Sequence, residues 1–81
     1  MWRKQAASKF FPSLKKLTSE QRATIHAIID EIVQDPDQYE NQIYPKPLTY
    51  PNGDREIEVA GVWLRYRIDR QQQTIVVLQV S

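Results

Sequence analysis

The sequence has no cysteine and a single histidine, His26. Disulfides and thiolate metal sites are therefore excluded, and a metal would need a carboxylate-rich cage. Glycine is almost as scarce, at two residues, and there is no glycine-rich phosphate loop, serine-triad pattern or paired-metal motif. Neither a metal nor a cofactor is expected. Long apolar runs are missing too: "TIVVLQV" and the stripe in "ATIHAIIDEIV" are far shorter than the roughly 20 residues that cross a bilayer. The basic start "MWRKQAASKFFP" lacks the apolar stretch of a signal peptide. These absences predict a cytoplasmic protein with no membrane contact. The 81 residues allow one domain, 1–81, with a small core and no covalent staple.

Charge is nearly balanced, at a net +1, but unevenly spread. Residues 1–17 carry Arg3, Lys4, Lys9, Lys15 and Lys16 without an acid, whereas residues 18–45 carry Glu20, Asp30, Glu31, Asp35, Asp37 and Glu40 against Arg22 alone. A basic segment attracts phosphates or an acidic partner, with Lys15 and Lys16 as candidate binding residues. The competing account is internal complementarity with the acidic segment beside it.

The clearest element is a helix in "LTSEQRATIHAIIDEIVQDP". Thr18 and Gln21 have capping-box spacing, Glu20 suits the positive helix start, and Ile25, Ile28, Ile29, Ile32 and Val33 recur at helical intervals. Asp35-Pro36 ends it, because a residue before proline resists the helical conformation. Phe10, Leu14 and Leu17 keep the same spacing in a shorter helix starting or bending near Pro12, which makes a helical hairpin jointed near Thr18. His26, beside the apolar stripe and without a second histidine, reads as a boundary or surface residue. From Asp37 to Asp54 the prolines and the Asn-Gly pair predict a surface connector, pinned to the core by Tyr39, Ile43, Tyr44, Leu48 and Tyr50.

Three strands are predicted beyond it, near 55–59, 62–69 and 74–80. The last is apolar at nearly every position and so is expected to be central, covered on both faces. A helical hairpin packed on a small antiparallel sheet is an α+β domain. In "EIEVAGVWLRYRID", a two-residue turn at Ala60-Gly61 sets Val59 opposite Val62, Glu58 opposite Trp63, Glu56 opposite Arg65 and Asp54 opposite Arg67. One face is then apolar and the other charged, with two ion pairs across the strands and Trp63 able to cover an arginine stem. Ala60 is the weak point, since alanine is awkward at positive φ, and a bulged turn would shift the register by one. The charged face reads as either a self-paired solvated surface or a ligand surface.

The run "FFPSLKKLTSEQRATIHAIIDEIVQDP", then "KPL", then "EIEVAGVWLRYRIDRQQQTIVVLQV", resembles the RelE/ParE superfamily of toxins from about Phe10 onward. Lys46-Pro47-Leu48 and Tyr66-Arg67-Ile68-Asp69 stand where that family has its Lys-Pro-Leu-like and Tyr-x-Ile-Asp-like words. The resemblance implies a short first strand, a helical hairpin and an antiparallel sheet. It also implies an antitoxin-like partner and a target that is the ribosome with its RNA, or DNA gyrase. RelE-type members are ribosome-dependent ribonucleases whose basic residues would lie on the charged hairpin face, with Lys46, Glu58 and Trp63 at binding positions. Here Glu56, Glu58 and Trp63 replace basic residues, and Ser81 rather than a basic residue follows the last strand. Metal-free RNA cleavage needs a base, an acid and positive charge for the transition state. Arg65 and Arg67 are the candidates for the charge, and Tyr66 or Glu56 for the acid and base, although Tyr66 is expected on the face opposite the arginines. The expectation is a toxin-like protein that acts by binding, with ribonuclease activity weak or lost. The alternatives are an interaction module unrelated to toxicity and an active nuclease using Arg65 and Arg67.

Overall fold

Thr18 and Gln21 form the expected reciprocal cap: the Thr18 hydroxyl accepts from the Gln21 amide at 3.1 Å, and the Gln21 side chain accepts from the Thr18 amide at 3.0 Å. In the computed structural model, which describes residues 1–81, this cap opens the long helix α2 (Ser19–Gln34). A strand β1 (Arg3–Ala6) and a short helix α1 (Phe10–Leu14) precede it. Helix α3 (Pro36–Gln42) and strands β2 (Leu48–Thr49), β3 (Asp54–Val59), β4 (Val62–Asp69) and β5 (Thr74–Val80) follow.

Helix α2 stops at Gln34, as predicted, because Asp35 is extended before Pro36. The connector does not begin there, however. Asp35 accepts from the Gln38 amide, and Pro36 takes the first helical position of α3. Proline needs no partner for its missing N–H at that position, so the same dipeptide that ends one helix starts the next. Of the residues expected to pin the connector, Tyr39 and Ile43 pack on the core, and Tyr50 is half-buried. Tyr44 and Leu48 are 96% and 52% exposed and pin nothing.

The sheet has five strands in the order β1-β5-β4-β3-β2. It is mixed rather than wholly antiparallel, because β1 pairs with β5 in parallel, Arg3 opposite Thr74. The pairing was invisible to pattern reading because "RKQA" has three exposed residues out of four; backbone hydrogen bonds hold it, flanked by Arg3 N to Gln73 O at 2.8 Å and Ala7 N to Val77 O at 2.9 Å. β5 is central between β1 and β4, but helices cover only one of its faces. Ile75, Val77 and Val80 are buried, while Val76 and Leu78 are half-buried on the other side.

The core lies between that covered face and the helices. Phe10 and Leu14 of α1 and Ile25, Ile29 and Ile32 of α2 meet Ile57, Leu64, Tyr66, Ile75, Val77 and Val80, with Ile28 and Ile68 partly buried at its margin. The hairpin keeps the predicted register from Val59–Val62 to Asp54–Arg67. Ala60 and Gly61 both take positive φ, 55° and 82°, the mirror-image turn whose twist matches that of the strands. The strand twist overrides the preference of alanine, and no bulge enters the turn.

Candidate functional site

The face of the sheet turned away from the helices carries the charged residues of the hairpin. Asp54 and Arg67 pair across the strands as expected, Arg67 Nε donating to Asp54 Oδ1 at 2.7 Å. The other expected pair, Glu56 with Arg65, does not form. Arg65 Nε donates to Asp54 Oδ2 at 3.0 Å, and its guanidinium lies over the Tyr50 ring, 4.2 Å from the centroid. Glu56 instead accepts from the Tyr50 hydroxyl at 2.7 Å. Burial explains the choice: the Asp54 side chain is 4% exposed, and a carboxylate so placed must gather charged donors. Trp63 covers no arginine; Tyr50 takes that role.

Asp54 is further tied by Asn52, whose Nδ2 donates to Oδ2 at 3.3 Å while its Oδ1 accepts from the Asp54 amide at 3.1 Å. Burial alone would raise the Asp54 pKa. The hydrogen bonds and charges of Arg67 and Arg65 outweigh it and hold the carboxyl below its ordinary 3.8.

A cleft of about 310 Å³ opens over this cluster. Its far wall is Lys9 with Ala7 and Ser8, from the turn between β1 and α1, and its floor includes Leu78 and Gln79. A bulge sets that floor. Arg65 pairs with Gln79 and Tyr66 with Val77, so Leu78 has no partner and both Leu78 and Gln79 turn toward the cleft. Three cations, Lys9, Arg65 and Arg67, thus line the cleft with one anion, Asp54, which both arginines contact. Lys9 was missed as a site residue because only the parallel β1–β5 pairing brings it here.

The remaining candidates lie elsewhere. Tyr66 is on the covered face, as expected from alternation; its hydroxyl donates to Glu40 Oε2 at 2.8 Å, and burial, followed by Glu40, pushes its pKa far up. Arg55 Nε also lies 2.8 Å from Glu40 Oε2, but its N–H is not aimed at that oxygen and finds no acceptor. Glu56, Glu58, Trp63 and Lys46 line a second, largely apolar cleft of about 460 Å³ with Tyr44 and Leu48, where Lys46 Nζ donates to Glu40 O at 2.9 Å. Lys15 and Lys16 are exposed just after α1 and line neither cleft. Of the basic segment, only Lys4 reaches the acidic helix, 3.1 Å from Asp30, so internal complementarity accounts for one cation. His26 is exposed, at the rim of a third cleft beside Phe10 and Phe11. No group of three or more His, Asp or Glu side chains is placed to hold a metal ion, and no helix is long and apolar enough to cross a membrane.

The cleft can bind an oxyanion, since two guanidiniums and an ammonium face it. It holds no free carboxylate, imidazole or phenol: its one carboxylate is engaged by both arginines, and Tyr66, Glu56 and His26 lie outside it.

No protein-family model matches the chain, and no curated protein is similar to it in sequence. Solved structures are similar to it in fold. The isolated Escherichia coli RelE toxin superimposes with a TM-score of 0.78 at 17% identity, over 100% of this chain and 83% of that one. The chain has the RelE toxin fold. An E. coli RelE double arginine-to-alanine mutant in complex with an antitoxin RelBc peptide matches this RelE-like chain with a TM-score of 0.77 at 17% identity, over 98% and 80% of the two chains. The RelBE2 toxin-antitoxin complex of Mycobacterium tuberculosis matches with a TM-score of 0.63 at 25% identity, over 99% and 95%. The mixed sheet with helices on one face is thus the RelE arrangement.

Proposed function

We propose that this RelE-like chain is the toxin-like member of a toxin-antitoxin pair, that its open sheet face binds RNA phosphates, and that its ribonuclease activity is weak or lost. One observation carries the reading: Lys9, Arg65 and Arg67 line a cleft whose one carboxylate is engaged by both arginines and which has no histidine or tyrosine, so that Lys9 alone would have to serve as both acid and base. Positive charge alone stabilises a phosphate and its transition state, but cleavage also needs a group to take the 2′-hydroxyl proton and one to protonate the leaving oxygen. RelE structures solved with antitoxin chains or peptides support an antitoxin-like partner here. The exposed Tyr44 and Leu48, with Trp63 at the rim of the second cleft, offer that partner apolar surface.

Toeprinting of a translating messenger with purified protein tests the reading. The expected result is no strong cutting at the ribosomal A site, together with RNA binding that weakens with salt and with Arg65→Ala or Arg67→Ala. Strong A-site cuts abolished by either arginine substitution would establish an active nuclease instead. Absence of RNA binding at low ionic strength, with intact binding to an antitoxin-like peptide, would leave the interaction module.

A further inference from the structure

Asp54 is the buried carboxylate of the open face, and it holds both arginines in the same way. Each is gripped through Nε, Arg65 at Oδ2 and Arg67 at Oδ1, and neither donates through its η nitrogens to any group of the protein. A guanidinium fixed at Nε has a defined plane and keeps its outer N–H groups for a ligand. The side chains are 28% and 44% exposed, which leaves those outer groups open to the cleft. Arg65 is fixed a second time by the Tyr50 ring, and Asp54 itself is braced by Asn52. Both carboxylate oxygens are thus engaged, Oδ1 by Arg67 and Oδ2 by Arg65 and Asn52, and these bonds fix a single orientation.

We propose that Asp54 is a positioning residue, which aligns Arg65 and Arg67 so that their η nitrogens, with Lys9, form a site for a phosphate-class oxyanion. That the natural anion is an RNA phosphodiester rests on the function proposed above; the alignment itself does not. Alignment and bulk charge predict opposite signs. If Asp54 merely neutralised the arginines, removing its charge would make the cleft more positive and tighten anion binding. If it aligns them, removal frees two long side chains, and binding weakens although the net charge rises.

The test uses the full chain, inorganic pyrophosphate as probe, and NMR detection of arginine Nε–H groups. In the wild-type protein, slowly exchanging Nε–H signals are expected from Arg65 and Arg67, shifting on addition of pyrophosphate. Asp54→Asn should weaken that binding about tenfold, the equivalent of one charge-assisted hydrogen bond. Asn52→Ala, which keeps Asp54 and both arginines but removes the brace, should weaken it by a smaller factor. If Asp54→Asn fails to fold, Asn52→Ala and the wild-type signals decide. Equal or tighter pyrophosphate binding by a folded variant, or absence of protected Nε–H signals, would overturn the proposal. Pyrophosphate binding at the arginines without binding of a short oligoribonucleotide would leave the alignment standing and remove the RNA reading. Binding of neither would overturn both.

Discussion

Asp54 and Tyr66 sit on opposite faces of one hairpin and titrate in opposite directions. The Asp54 pKa is held below 3.8, so the native chain releases this proton more readily than the unfolded one. Its stabilising contribution is complete above about pH 4 and is lost as pH falls through the native value. Asp54→Asn should therefore lower stability at neutral pH by about 2 kcal/mol, the worth of a charged hydrogen-bond network partly open to solvent, and flatten the acid limb of a pH series of urea melts. Tyr66 behaves conversely. Burial and the bond to Glu40 raise its pKa well above 10.0, so the unfolded chain loses this proton first, and the stability Tyr66 supplies falls as pH rises beyond about 10. Tyr66→Phe should be less stable than wild type at neutral pH yet show a shallower alkaline decline, read by denaturant unfolding between pH 8 and 11. The covered position of Tyr66 was legible from strand alternation alone. The choice of Asp54 over Glu56 as partner of Arg65 was not, because it depends on which carboxylate the fold buries.

At the scale of elements, α2 and the β3–β4 hairpin were the most readable parts of the chain, since each carries its own local signal: a capping box with an apolar stripe, and strict alternation about a two-residue turn. Ile29 is 2% exposed in the middle of that stripe. Ile29→Ala should cost about 2–5 kcal/mol in chemical denaturation, a large share of the stability of so small a domain. The turn still contains a local mismatch. Ala60 takes φ 55°, a conformation that asparagine tolerates better than alanine. Ala60→Asn should therefore stabilise the protein by about 0.5–1 kcal/mol, seen as a higher melting midpoint with an unchanged denaturant slope. Three elements escaped the residue patterns: the two-residue β2 lies inside the segment read as a connector, and the other two hid for different reasons, although the family resemblance implied a short first strand. Helix α3 hid behind Pro36, read as a breaker although it also starts a helix. Strand β1 hid because an edge strand with polar, exposed side chains leaves no apolar period to find.

For the whole molecule, the α+β class was readable from the order of apolar periods, and the shared face of Arg65 and Arg67 from the alternation of the charged hairpin. The cleft as a three-walled site was not, because Lys9, Leu78 and Gln79 reach it only through the β1–β5 pairing and the bulge in β5. That pairing also bears on how the chain folds. About 70 residues separate β1 from its partner, and closing so long a loop is entropically costly before its contacts repay it. β1 should therefore dock late. A substitution that removes a backbone donor from it, Gln5→Pro, is expected to speed unfolding in stopped-flow measurements while leaving the folding rate nearly unchanged. On a ribosome, elements emerge in chain order, and β5 is the last of them to appear. Until it does, β1 has no neighbour, β4 has an open edge and the cationic cleft has no floor. A nascent chain carrying everything through β4 thus already exposes Arg65 and Arg67 but lacks the surface that brings Lys9 beside them, and only addition of β5 completes the cationic cleft.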